Sequence, residues 1–217
     1  EINNITKVEG HAKLYLNIGK NNEIKKCELE SIEGSRYFEG ILKGRQYFEA
    51  SEIASRICGI CSASHVIAAL EGIEEALSVK VSAQTKKLRE LFAFGERIRS
   101  HVTHMYFLAL PDYLNLSSGL ELAKTNREEV ERALKLMKLG NDLISLFAGR
   151  DIHPVSATVG GFLHYPSSKE CADILCKLKD ALPDAIKAAK LFGHINYPDY
   201  PKITMHASLY EEHSYPT

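Results

Sequence analysis

Cys58 and Cys61, three positions apart, head the densest group of chemistry-bearing side chains: Arg56-Ile57-Cys58-Gly59-Ile60-Cys61-Ser62-Ala63-Ser64-His65. Thiols at i and i+3 converge on one metal ion or cluster whether the segment is a tight turn or a helix start. Were it already helical, steps of about 100° would put Cys61 at roughly 300° and His65 at roughly 340° from Cys58, within about 60° of arc. The metal-binding form is the thiolate, and a free thiol titrates near about 8.5, so something must favour the anion. A helix N-terminus, the nearby Arg56 or the metal itself would do so. Gly59 lets the backbone pass a cluster without a side chain in the way. Spacing alone leaves three chemistries open: a metal site, a thioredoxin-type redox pair, or two buried thiols. A closed zinc site needs two further ligands near in sequence; His65 offers one, and no second CxxC or HxxxH follows. A redox pair belongs after a strand in a βαβ unit, whereas this one lies in a helical stretch.

The elements that must position this group divide at about residue 50. Residues 1–50 read as a β-hairpin or meander with a loop, and residues 51–217 as a helical core. Thr6 to Ile18 alternates, with Ala12, Leu14, Leu16 and Ile18 on one face. Gly19-Lys20-Asn21-Asn22 signals a turn, and Ile24 to Ile32 a second strand containing Cys27. From Ser51 on, helical periodicity dominates. Ser62–Leu77 carries Val66, Ala69, Leu70, Ile73 and Leu77. Thr85–Leu110 has an apolar stripe of Leu88, Leu91, Phe92, Ile98, Val102 and Met105, closed by Pro111. Asn126–Phe147 opens on Glu128, Glu129 and Glu131, which suit a helix N-terminus. Ser167–Leu191 is expected to break or kink at Pro183. Gly149–Pro166 is a loop with Gly160-Gly161, and the chain after Asn196 reads as irregular. The fold class is α+β and helix-dominated, small antiparallel strands followed by a long-helix bundle.

Composition narrows the class. With 217 residues, 45% apolar and 25% charged, the chain can bury a sizeable core. Its net charge of −1 gives no electrostatic case for nucleic acid. Five cysteines at irregular spacing do not read as a secreted disulfide framework. The start Glu1-Ile2-Asn3-Asn4 has no signal-peptide pattern, so the expected location is cytoplasmic. Lacking an initiator methionine, the chain is expected to be trimmed or partly covered.

At four ordered places the sequence resembles the large subunit of nickel–iron hydrogenases. RICGICSASH is similar to the family's N-terminal RxCGxCxxxH motif. Val8-Glu9-Gly10-His11 resembles its R-[IV]-E-G-H strand, with Lys7 where arginine is usual. Arg36-Tyr37-Phe38-Glu39 is similar to its R-x-x-E segment, and Gly149-Arg150-Asp151-Ile152-His153-Pro154 with Gly160-Gly161 to its G-[RK]-x-x-H-P…GG loop. The resemblance implies that Cys58 is a terminal nickel ligand and Cys61 bridges nickel and iron, soft thiolates suiting a redox-active nickel. The iron would carry cyanide and carbon monoxide installed by maturation proteins. His65 would hydrogen-bond the bridging sulfur. Glu9 would be the first proton acceptor in the reversible heterolytic cleavage of H2, a role that suits a buried carboxyl with a raised pKa; a strand glutamate facing solvent would look the same in sequence. Glu39 would help hold a magnesium ion. His153 and Arg150 would lie near an iron–sulfur cluster of the small subunit, although a His-Pro pair also structures loops. His101 and His104, and Cys27, Cys171 and Cys176, read as packing, surface or structural residues.

One family motif is absent: DPCxxCxxH, the source of the other two thiolates. The expectation is a longer chain, or a split subunit whose C-terminal half supplies it, with no activity from these residues alone. Two competing readings remain. One is the quinone-site subunit of respiratory complex I, which shares the fold without metal and lacks the cysteines kept here. The other is a zinc-binding interaction protein.

Overall fold

The computed structural model describes residues 2–3, 5–34, 36–199, 205–208 and 210. It divides into two compact units, Glu1–Arg45 and Gln46–Thr217.

In the first unit β1 (Ala12–Ile18) pairs antiparallel with β2 (Ile24–Ser31), Leu14 facing Leu29 and Leu16 facing Cys27, with an irregular register between Asn17 and Ile18. The Gly19–Asn22 turn forms as expected, with Asn22 at φ 58°. Strand structure begins at Ala12 rather than Thr6. Lys7 at φ 62° and Gly10 at φ 86° turn the backbone, so Val8-Glu9-Gly10-His11 forms a bend. A side chain at residue 10 would also meet the Glu33 carboxylate, which His11 contacts through Nδ1 at 2.7 Å. The unit ends in the short helix α1 (Tyr37–Leu42).

The second unit is helical. A 3-10 turn (Tyr47–Glu49) leads into α2 (Ala50–Ser55), then α3 (Ser62–Ala76) and α4 (Ala83–Thr103). A π-helical segment, His104–Ala109, carries α4 into α5 (Leu110–Tyr113), so Pro111 begins a further turn instead of closing the helix. Proline is tolerated in a first helical turn, where its missing N–H costs no hydrogen bond. Then come α6 (Gly119–Thr125), α7 (Arg127–Ala148), the two-residue strands β3 (Ala157–Thr158) and β4 (Gly161–Phe162), and α8 (Ser168–Gly193). α8 starts on a capping box of Ser167 and Glu170 and continues through Pro183, where a break or kink was expected. The irregular stretch after Asn196 falls mostly outside the described residues.

The core lies where α4 crosses α7. Phe92, Ala93 and Val102 of α4 pack with Leu136, Leu143, Ile144 and Phe147 of α7 in one buried cluster that includes Leu70 of α3 and Phe192 of α8. Tyr106 is fully buried, stacks edge-on against Phe192 and donates its hydroxyl to Glu129. The expected apolar stripe of α4 is rotated. Of its six residues only Phe92 and Val102 are buried, Leu91 is exposed, and Arg89, Glu96 and Arg99 point inward.

Gly95 and Gly140 mark where the two helices touch backbone to backbone. A Cβ on Gly140 would stand 2.7 Å from Gly95 O and 2.8 Å from Arg99 N. Neither backbone atom can move without separating the helices. Gly140→Ala is therefore expected to destabilise the fold by about 1–3 kcal/mol, read as a lower denaturation midpoint. An unchanged midpoint would show that the helices can part without cost.

Candidate metal centre

The cysteine motif occupies the connection between α2 and α3. α3 starts at Ser62 with Cys61 as its N-cap residue, so Cys58 sits in a tight turn and only Cys61 and His65 share the helical face. The peptide N–H of Cys61 donates to Cys58 Sγ at 3.1 Å. Cys58 is buried and Cys61 half-buried, while Ile57 and Ile60 beside them are exposed. The turn thus lies at the surface of the unit with its sulfur atoms sheltered. The two sulfurs are joined as a disulfide, with Cα atoms 5.4 Å apart. In reduced form, a pair at this separation can also span one metal ion through two bonds of about 2.3 Å, the length typical of zinc–thiolate bonds. Among the described residues no group of three or more His, Cys, Asp or Glu side chains gathers as a ligand set. The donor set therefore fits part of a thiolate shell and does not complete one.

The other expected site residues fall in three places. His65, half-buried one turn along α3, makes no hydrogen bond to either sulfur; its backbone N–H donates to Cys61 O at 3.2 Å. Arg56 turns outward toward Glu52 at 3.8 Å, away from the role of favouring a thiolate. Glu9 and Glu39 belong to the first unit, and both are exposed. The burial that a relay carboxyl needs is thus not supplied by the residues around Glu9. Glu39 accepts from Arg36 Nε at 3.0 Å and Nη2 at 2.8 Å, which makes R-x-x-E an i,i+3 ion pair at the start of α1. His153, at φ 51°, is bound tightly to the turn: its Nδ1 lies 2.8 Å from Ser55 O and its N–H donates to Ser62 Oγ at 3.3 Å. Because a carbonyl only accepts, Nδ1 carries the proton. Arg150 Nε donates to His153 O. The His-Pro loop thereby grips the last residue of α2 and the first of α3, bracketing the cysteines. Cys27, Cys171 and Cys176 are exposed free thiols, and His101 and His104 are exposed.

Sequence reading missed the charged side chains behind the turn. Glu96 of α4 accepts from the N–H groups of Ala63 and Ser64 and from Ser64 Oγ, capping the start of α3 with a buried carboxylate. Arg99, one helical turn on, donates to Ile60 O at 2.6 Å, between the two cysteines, and to Asp151 O at 2.8 Å. Burial lowers the pKa of this guanidinium, and the Glu96 and Asp151 carboxylates oppose the shift; arginine remains charged throughout. Farther along, Arg89 forms a two-pronged buried pair with Glu74, at 2.7 and 2.6 Å, and donates to Thr158 O, while Gly160 N–H donates to Glu74 at 2.7 Å. The available signal was spacing: positions 89, 92, 96 and 99 recur at helical intervals, placing three charges in phase with Phe92.

Residues 36–134 match the family model of nickel-dependent hydrogenases. The alpha subunits of sulfhydrogenases 2 and 1 from Pyrococcus furiosus are 35% and 37% identical, each over 89% of this chain, but over only 47% and 45% of their own lengths. In sequence and fold the chain is similar to the N-terminal part of nickel-dependent hydrogenase large subunits. It spans about half the length of the curated relatives it matches. The crystal structure of an NAD+-reducing [NiFe]-hydrogenase in its H2-reduced state superposes with a TM-score of 0.84 at 28% identity, covering 89% of this chain and 45% of that one. The chain thus carries the expected helix-dominated fold, with its cysteine turn on the α2–α3 connection.

Burial would raise the Glu74 carboxyl, but the hydrogen bonds from Arg89 and Gly160 and the Arg89 charge outweigh it and hold the group below its usual pKa. A carboxyl with a depressed folded-state pKa stabilises the fold above its unfolded pKa and loses that contribution as pH falls through the folded value. Glu74→Gln should cost about 3–5 kcal/mol at neutral pH, because Arg89 is left buried without its partner. It should also flatten the acid side of the melting-temperature profile. A variant that keeps the parent profile would refute this role for the pair.

Proposed function

We propose that this chain supplies Cys58 and Cys61 to the nickel–iron centre of a cytoplasmic hydrogenase that reversibly converts H2 to protons and electrons. The observation that carries this reading is the pair of converging sulfurs on a sheltered surface turn, in a chain whose sequence and fold match nickel-dependent hydrogenases. The same pair weighs against a metal-free quinone-site scaffold, and the family match weighs against a zinc protein.

When bound, the nickel–iron centre, with cyanide and carbon monoxide on iron, supplies heterolytic cleavage of H2. This chain's residues hold two thiolates at fixed separation, shelter them from solvent and carry the proton away. Cys58 would hold nickel through its sulfur, and Cys61 would be the thiolate shared with iron. His65, on the same helical face as Cys61, orients the sulfur of the reduced pair. Glu9 would be the first acceptor of the released proton. Because no third ligand gathers beside Cys58 and Cys61 among the described residues, the other ligands would come from the C-terminal half of a large subunit. The electrons would be passed to a small subunit carrying iron–sulfur clusters, with Arg150 and His153 as the residues that would lie near one of them. Maturation proteins load the metals, and Glu39 contributes to a magnesium site.

Elemental analysis of the complete enzyme tests the reading: nickel and iron support it, zinc alone or no metal overturns it. Cys61→Ser should bring nickel and iron to background; a variant with full metal content would falsify the bridging role. Glu9→Gln should keep the metals while H2/D2 exchange with solvent falls about 100-fold or more. Exchange at the parent rate would rule out the relay.

A further inference from the structure

The cysteine turn takes its shape from outside as well as from within. Beside the Cys58–Cys61 disulfide, which the reduced, metal-binding form lacks, it is tied by Cys61 N–H to Cys58 Sγ, by the Arg56 and Ile57 N–H groups back to Ile53 O and Ala54 O, and by Ser62 Oγ to Gly59 O at 3.4 Å. The carbonyl of Ile60, on the peptide that leads into Cys61, is taken by Arg99 Nη2 at 2.6 Å. The other end of the same guanidinium, Nη1, takes Asp151 O at 2.8 Å, and Asn141 Oδ1 of α7 accepts from it at 3.4 Å. Arg99 is nine-tenths buried and stands beside the Gly95–Gly140 crossing, where a Cβ on Gly140 would meet its backbone N at 2.8 Å. Its root is therefore fixed by a backbone-to-backbone helix contact, and its planar fork joins two loops distant in sequence.

We propose that Arg99 is the positioning residue of the metal turn, fixing the Ile60–Cys61 peptide, and with it the direction of the Cys61 sulfur, to the Gly149–Pro166 loop. This rests on the reading that Cys58 and Cys61 bind nickel. Arg99 touches neither sulfur; it acts through the peptide between them. Two properties matter separately. The fork lets one side chain satisfy two carbonyls about a guanidinium apart, which a lysine ammonium, with its donors on a single atom, cannot do from the same place. The buried cation also faces the backbone that carries two thiolates and offsets part of their negative charge.

The test uses the complete, metal-loaded enzyme with Arg99→Lys and Arg99→Gln. The readouts are nickel per protein, the nickel electron paramagnetic resonance g-values, the midpoint potential and thermal unfolding. Both variants lose the fork, so both should show shifted g-values and several-fold lower nickel occupancy. Only Arg99→Gln loses the charge, so it alone should move the midpoint potential to a more negative value, because the more oxidised state is then less opposed. A residue that merely holds up the fold would lower the melting temperature and leave the g-values of the loaded fraction alone. If Arg99→Gln does not fold, Asn141→Ala loosens the guanidinium without removing it and should shift the g-values in the same direction by less. Parent g-values in the loaded fractions of the folded variants overturn the inference while leaving the nickel reading intact. A parent enzyme free of nickel overturns that reading and the inference together.

Discussion

The second unit depends on a conflict that every irregular segment faces: a backbone carbonyl or N–H sheltered from water needs a partner, and a loop has no neighbouring strand or helical turn to provide one. Here the partners are charged side chains of α3 and α4. Arg89 and Arg99 donate to carbonyls of the Gly149–Pro166 loop, Glu74 accepts from Gly160, and Glu96 accepts from the start of α3. Each charge is stabilised inside because it meets several dipoles or an opposite charge at once. The arrangement converts a straight helix into a ruler along which two loops are set at fixed heights.

Such a ruler works only if its position is fixed, and small residues fix it. Gly95 and Gly140 let α4 and α7 approach until backbone meets backbone. Packing of this kind leaves little freedom to slide, because side-chain rotation cannot absorb a displacement. The sulfur turn inherits that rigidity at second hand, through Arg99 and Glu96 on one side and His153 on the other.

Much of this was legible in the residue order, and the gaps have physical causes. Ser62–Leu77 was readable to within one residue because apolar periodicity and burial coincide there. The hairpin was readable through its turn signal, though its start was not: positive φ at Lys7 and Gly10 overrides the alternation around them. The face of α4 was misplaced because apolar residues are assumed to point inward, whereas three of the inward positions carry charges whose partners lie 15 to 69 residues away. Pairings that distant leave no local trace beyond the spacing of the charges. His153 was singled out from its motif, but only coordinates show its ring bonded to the residue that ends α2.

The 5.4 Å between the α-carbons of Cys58 and Cys61 has a practical side. The same closeness that allows one ion to bridge both sulfurs allows them to bond to each other, which removes both donors in a single two-electron oxidation. Preparations kept in air without a thiol reductant are therefore prone to lose metal-binding capacity in one step, with no residue altered irreversibly and with recovery on reduction.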